Sequence, residues 1–170
     1  MSRIAIGKAV PDFSLPSSAG TAFSLKAGKG MPRVLYFYPR DNTSGCTLEG
    51  QDFNRLLPAF KRAGALVYGI SRDRLASHAK FREKFGFGFE LLADVDEKAC
   101  RLFDVIREKN LYGRKVLGIE RSTFLIDGQG ILRREWLKVK VEGHAAEVLQ
   151  AVKTLLRARR GGCTSSTPTC

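Results

Sequence analysis

An α/β fold, with a central mixed β-sheet flanked by helices and a small hairpin ahead of it, is what this sequence predicts, on three observations. Apolar runs and amphipathic stripes alternate from Arg33 to Ala93 as strand, helix, strand, helix, strand, an order that implies parallel pairing with helices covering the sheet. A hairpin pattern with a turn-rich centre follows between Glu120 and Leu137, and a helical stripe closes the pattern between His144 and Arg159. The chain has 170 residues, one ordinary domain, and its 44% hydrophobic and 27% charged content is that of a soluble globular protein.

The elements can be justified in order. Met1 to Lys29 is rich in Pro, Gly and Ser, with short apolar runs at Phe13, Leu15 and at Phe23, Leu25, which predicts an N-terminal β-hairpin. Arg33-Val34-Leu35-Tyr36-Phe37-Tyr38 is a β-branched and aromatic run ended by Pro39, the pattern of a strand buried on both faces. Pro39 to Gly45 reads as a loop. From Cys46, residues Phe53, Leu56, Leu57 and Phe60 mark one helix face, kinked in its second half by Pro58. Ala65 to Ile70 is a second buried strand, Arg74 to Phe85 a helix opened by Asp73, and Phe89 to Ala93 a third strand. Glu97 to Phe103 is a short helix, and Arg107 to Gly118 reads as a polar, Gly-containing loop. Glu120 to Ile126 and Ile131 to Leu137 flank Asp127-Gly128-Gln129-Gly130, residues that tolerate positive φ. The last helix carries Val148, Leu149, Val152, Leu155 and Leu156 on one face. A βαβ half followed by a hairpin and a terminal helix is the thioredoxin-like plan. Residues 1–160 are expected to form one domain, and residues 161–170, without an apolar stripe, a flexible Gly/Ser/Thr tail with two cysteines.

Composition excludes several classes. The N-terminus has no apolar run of signal-peptide length, so the expected location is cytoplasmic and no membrane association is predicted. The four cysteines Cys46, Cys100, Cys163 and Cys170 form no C-x-x-C pair, and His78 and His144 are isolated, so neither a disulfide scaffold nor a metal site is expected. The net charge of +12 raises a basic nucleic-acid-binding module as an alternative. The charge is spread along the chain, however, and thickens only at Arg133-Arg134 and at the cationic end of the last helix; the aromatics sit in apolar runs rather than among clustered cations. No specific nucleic-acid partner is therefore expected.

The chemistry centres on Cys46. It lies where a buried strand has ended, a loop has turned and a helix begins, so unpaired N–H groups and the helix dipole favour its thiolate. A core cysteine would leave its polar company, Asp41 to Gly45, unexplained.

Pro39-Arg40-Asp41-Asn42-Thr43-Ser44-Gly45-Cys46 resembles the P-x-x-x-T-x-x-C active-site motif of peroxiredoxins. The flanking Tyr36-Phe37-Tyr38 and Thr47-Leu48-Glu49 are similar to the Q-type subgroup, the bacterioferritin comigratory proteins. Glu120-Arg121-Ser122-Thr123-Phe124-Leu125-Ile126-Asp127 resembles the strand that brings the family's arginine to the site. Val10-Pro11-Asp12-Phe13, Ser71-Arg72-Asp73, Ser77-His78 and Lys80-Phe81 extend the likeness over all but the tail. The resemblance implies a metal-free, cofactor-free thiol peroxidase in which Cys46 is the nucleophile that attacks hydrogen peroxide or an organic hydroperoxide. It implies that the Thr43 hydroxyl, the Cys46 N–H and Arg121 stabilise charge on the departing oxygen, that Arg121 also stabilises the thiolate, and that Pro39 shields the sulfur. Glu49 would orient the arginine; an ordinary first-turn helix acid is the competing reading.

The product would be a Cys46 sulfenic acid that must be reduced again. Here the chain departs from its subgroup: the two usual positions of a resolving cysteine hold Gln51 and Arg82. Cys100 sits between Ala99 and Phe103 and is expected to face the core, although a resolving role stays open. Cys163 and Cys170 lie on the tail, whose length as a coil is roughly 17 Å. The leading expectation is a one-cysteine cycle reduced by thioredoxin, glutaredoxin or a small thiol, in a monomer or weak homodimer. A thioredoxin-like disulfide reductase shares the fold but needs a second cysteine near the first, and Thr47-Leu48-Glu49 supplies none.

Overall fold

The computed structural model describes residues 4–164, with side chains through residue 158. Strands β1 (Ser14–Pro16) and β2 (Ala22–Ser24) form the expected N-terminal antiparallel hairpin, Leu15 opposite Phe23, and a single 3₁₀ turn (Lys26–Gly28) follows. Strand β3 (Arg33–Phe37) leads through the Pro39–Thr43 loop into helix α1 (Ser44–Arg62), which continues through Pro58. Next come β4 (Leu66–Ser71), α2 (Leu75–Phe85), β5 (Glu90–Ala93) and the short α3 (Lys98–Leu102). Strands β6 (Ile106–Leu111) and β7 (Arg114–Ile119) precede β8 (Ser122–Ile126), β9 (Leu132–Trp136) and α4 (His144–Thr164).

The five-stranded sheet has the order β5-β4-β3-β8-β9, parallel across β5, β4 and β3 and antiparallel across β8 and β9. It is therefore the mixed sheet of the thioredoxin-like plan. Alternation along β3 divides the core between its faces. Val34 and Tyr36 join Cys46, Phe53, Phe60 and the α4 residues Val148 and Val152 in one cluster. Leu35 and Phe37 join Cys100, Phe103, Phe124 and the N-terminal Phe13 and Phe23 in the other. The buried Arg33 side chain ties the N-terminal segment to the β8–β9 turn, donating to the carbonyls of Leu25 and of Asp127.

Three expectations are corrected. The Arg107–Gly118 segment is no loop: β6 and β7 pair antiparallel through six residues each, closing at Tyr112 and Gly113 with φ of 52° and 79°. That double left-handed turn is the type I′ geometry that matches the twist of flanking strands. Asp73 does not cap α2; Arg74 holds the cap position, and the Asp73 carboxylate instead accepts from the Asp41 N–H at 2.8 Å and the Ser71 hydroxyl at 2.7 Å. Helix α4 runs past Arg159 to Thr164, so the first residues assigned to the tail have helical backbone. Residues 165–170, including Cys170, and the side chain of Cys163 lie outside what is described.

Candidate active site

The site is assembled where β3, α1 and the start of β8 converge. β3 is buried throughout, and the chain leaves it at Tyr38 and Pro39. Asn42 takes φ of 59°, a left-handed conformation that Asn tolerates better than most residues. Thr43 then turns extended, with φ −92° and ψ 159°, and its carbonyl accepts the first helical bond from the Thr47 N–H at 2.8 Å. Helix α1 thus starts two residues before Cys46, and the thiol sits in its first turn, where the leading N–H groups lack intrahelical partners. Cys46 is buried, 2% exposed.

One turn further on, Glu49 points from α1 toward the same spot, and Arg121, just ahead of β8, meets both. Its Nη2 lies 3.5 Å from Cys46 Sγ and its Nη1 donates to Glu49 Oε1 at 2.6 Å. Gly45 leaves room for that approach: a Cβ there would stand 3.1 Å from Arg121 Nη2. Burial works against the arginine's charge, yet Glu49 and Cys46 together hold its pKa above the ordinary value. Glu49 lies deeper than its partner, and burial pushes its carboxyl up to about 7 against the downward pull of Arg121. Both partners shift upward for different reasons: burial dominates at Glu49, whose side chain is 1% exposed, while at Arg121, 17% exposed, the neighbouring Glu49 and Cys46 together outweigh it. Tyr36, behind them on β3, has its phenol pKa raised by burial and then by the charges of Glu49 and Cys46.

The structure brings Arg121 into direct contact with both Cys46 and Glu49. Thr43 is exposed, and its hydroxyl donates to the Arg40 carbonyl at 3.0 Å, within the loop. Pro39 is half-buried at the loop's start. Cys100 is elsewhere: fully buried in the cluster on the opposite face of the sheet, its thiol pKa raised by burial and then by Asp94, whose carboxylate accepts from the Cys100 N–H at 2.7 Å. Gln51 is exposed on α1, and Arg82 on α2 donates to the Phe87 carbonyl at 3.2 Å.

Two groups escaped the sequence reading. Lys109, assigned to a loop, lies on β6 with its ammonium donating to the Ile119 carbonyl at 2.5 Å; burial lowers its pKa, and nearby Arg121 lowers it further. Asp41 is no mere polar neighbour but is 8% exposed, surrounded by Tyr38, Ser77 and the fully buried His78. The only trace in the sequence was the Ser77-His78 pair, which carried no role.

Comparison with known proteins gives a consistent result. The profile of the AhpC/TSA family matches residues 6–135. Peroxiredoxin Bcp of Xanthomonas campestris is 56% identical over 142 residues, 84% of this chain and 89% of that protein. Peroxiredoxin Bcp of Bacillus subtilis is 45% identical over 152 residues, 89% of this chain and 97% of that one. A solved structure of the Xanthomonas campestris bacterioferritin comigratory protein, described for its alkyl peroxide reduction activity, superposes with a TM-score of 0.81 at 53% identity, covering 85% of this chain and 92% of its own.

Proposed function

The chain belongs to the AhpC/TSA family and is a thiol-dependent peroxidase, an oxidoreductase with a redox-active cysteine, and from that premise we propose that Cys46 is its peroxidatic nucleophile. The observation that carries this reading is the Arg121 fork, which touches a helix-start thiol with one arm and a buried carboxylate with the other. A thiolate sulfur there attacks one oxygen of the peroxide; an S–O bond forms, the O–O bond breaks, and the departing oxygen takes the electron pair and a proton to leave as water or an alcohol. Arg121 and the Cys46 N–H face the atoms where charge develops, and the Thr43 hydroxyl joins them by turning from the Arg40 carbonyl toward substrate. Glu49 sets the plane of the guanidinium, and Pro39 limits water at the sulfur.

Hydrogen peroxide and alkyl hydroperoxides are the substrates we propose, the latter because a close relative is described for alkyl peroxide reduction. The sulfenic acid is reduced by an incoming thiolate, which bonds to sulfur as hydroxide leaves and is protonated to water. A second thiol then releases Cys46. Thioredoxin, glutaredoxin or a small thiol fits that need, because Gln51 and Arg82 offer no sulfur and Cys100 lies across the sheet. We place the enzyme in the cytoplasm as a monomer or weak homodimer of one domain; among the described residues no helix is long and apolar enough to cross a membrane.

Peroxide consumption with dithiothreitol tests the assignment. Cys46→Ser is expected to abolish it, and a chelator is expected to leave the wild type unchanged. Activity in the serine variant, or loss on chelation, overturns the reading.

A further inference from the structure

We propose that His78 is a positioning residue for the peroxidatic loop, acting through the Asp41 carboxylate; this rests on the assignment of Cys46 as nucleophile. Asp41 stands two residues before Thr43 and five before Cys46, in the stretch that must hold the charge-stabilising donors in place. Its Oδ1 accepts from the Tyr38 hydroxyl at 2.6 Å, and its Oδ2 accepts from the Ser77 hydroxyl at 2.8 Å and lies 2.7 Å from His78 Nδ1. The Asp41 N–H donates to Asp73, so both its backbone and its side chain are tied to the β4–α2 region. His78 is itself fixed from behind: Nε2 lies 2.9 Å from the Leu92 carbonyl and Nδ1 faces the Asp41 carboxylate, both acceptors only, so each ring nitrogen presents a hydrogen to its partner and Nδ1 donates to the loop.

The arrangement is demanding. His78 is 0% exposed and Asp41 8%, and burying such groups is unfavourable unless every partner is in place. An apolar pair of similar volume would commonly be as stable or more so, so stability alone does not account for it. What the cluster does supply is a fixed backbone at the point where the loop reverses: Asn42, next to Asp41, carries the left-handed φ, and its side chain accepts from Lys84 of α2 at 3.3 Å. Catalysis by oriented donors needs that constraint, since misplacement by about 1 Å can lower a rate on the order of 100-fold.

The two ring nitrogens do different jobs, and amide side chains separate them. Asparagine places its NH₂ near the position of Nδ1 and keeps the donor to Asp41; glutamine reaches the Nε2 position and keeps only the bond to Leu92. In dithiothreitol-supported peroxide consumption at low peroxide, His78→Gln is expected to lower the rate on the order of 10- to 100-fold, and His78→Asn to stay within about threefold of wild type. The ultraviolet titration of the Cys46 thiolate, taken as a difference from the Cys46→Ser protein, is expected to superimpose for all three, because Arg121 and the start of α1 are untouched. Ser77→Ala, at a half-buried position that folding tolerates, serves as a second probe with an expected loss of about two- to fivefold. Equal rates for the Gln and Asn variants, or a thiolate titration that moves with the rate, overturn the positioning role; so does a Ser77→Ala enzyme at the wild-type rate if the histidine variants do not fold. A wild-type protein that consumes no peroxide would instead refute the enzymatic reading itself.

Discussion

At Arg121 one guanidinium serves two groups, a carboxyl and a thiol, and the geometry says why another cation would not do. Nη1 is committed to Glu49 at 2.6 Å while Nη2 faces Cys46 Sγ at 3.5 Å, a division that needs two donors at a fixed spacing. Lysine keeps the charge but, as a single ammonium, cannot hold that spacing, so Arg121→Lys is expected to slow peroxide consumption by about 10- to 1,000-fold, the scale for losing one transition-state donor. A rate near that of the wild type would place Arg121 outside the chemistry. Cys46, Glu49 and Arg121, which the structure brings together, are each singled out in the sequence: Cys46 closes a short motif, Glu49 follows just after it, and Arg121 precedes a recognisable strand. The Asp41–His78 contact is not. Its partners stand 37 positions apart, and each looks ordinary alone: an acid in a loop and a histidine in a helix.

At the scale of elements, what the sequence concealed was a hairpin exposed along most of both its faces. Leu111, Tyr112, Val116 and Leu117 are exposed and charges are interspersed on both strands, so β6 and β7 carry no alternation and read as a polar loop; only the Tyr112-Gly113 turn marked them. β3 and α1, by contrast, were legible because each buries a face. Between elements, the start of α4 packs His144 against β8, where its Nε2 meets the Thr123 hydroxyl at 2.7 Å. Burial pushes the His144 pKa down to about 4, so below its ordinary 6.5 the unfolded chain takes a proton that the folded one refuses, and stability falls as pH drops from 6.5 to 4. Glu49 has the opposite sign: held up to about 7, it stabilises fully below its ordinary 4.5, and that contribution is lost as pH rises through 7. The two oppose each other between 4.5 and 6.5. His144→Gln removes one of them, and urea unfolding is expected to show the variant losing less stability than the wild type between pH 6.5 and pH 5, by at most about 1.4 kcal/mol per pH unit. Identical slopes in the two proteins would mean that His144 titrates alike folded and unfolded.

For the molecule as a whole, the sheet acts as a partition between two sulfurs. Side chains alternate across β3, so Tyr36 and Cys46 lie on one face and Phe37 and Cys100 on the other, and no side-chain rotation carries one thiol to the other. A link between them would require α3 or β3 itself to open, at a free energy approaching that of unfolding a core element. At the two places where the sequence resemblance would put a resolving cysteine stand Gln51 and Arg82, which carry no thiol, so Cys163 and Cys170 are the remaining thiols of the chain. If neither completes the cycle, the oxidised site waits for an external thiol. Dimedone added after one equivalent of peroxide is then expected to label Cys46 in wild type and in the Cys163→Ser/Cys170→Ser double variant to the same extent, with dithiothreitol-supported turnover unchanged between them. Peptide mapping supplies the contrary outcome: a peroxide-induced link from Cys46 to Cys163 or Cys170, with dimedone labelling that rises only when those two are removed, would show that the resolving thiol has moved to the C-terminal end of the chain.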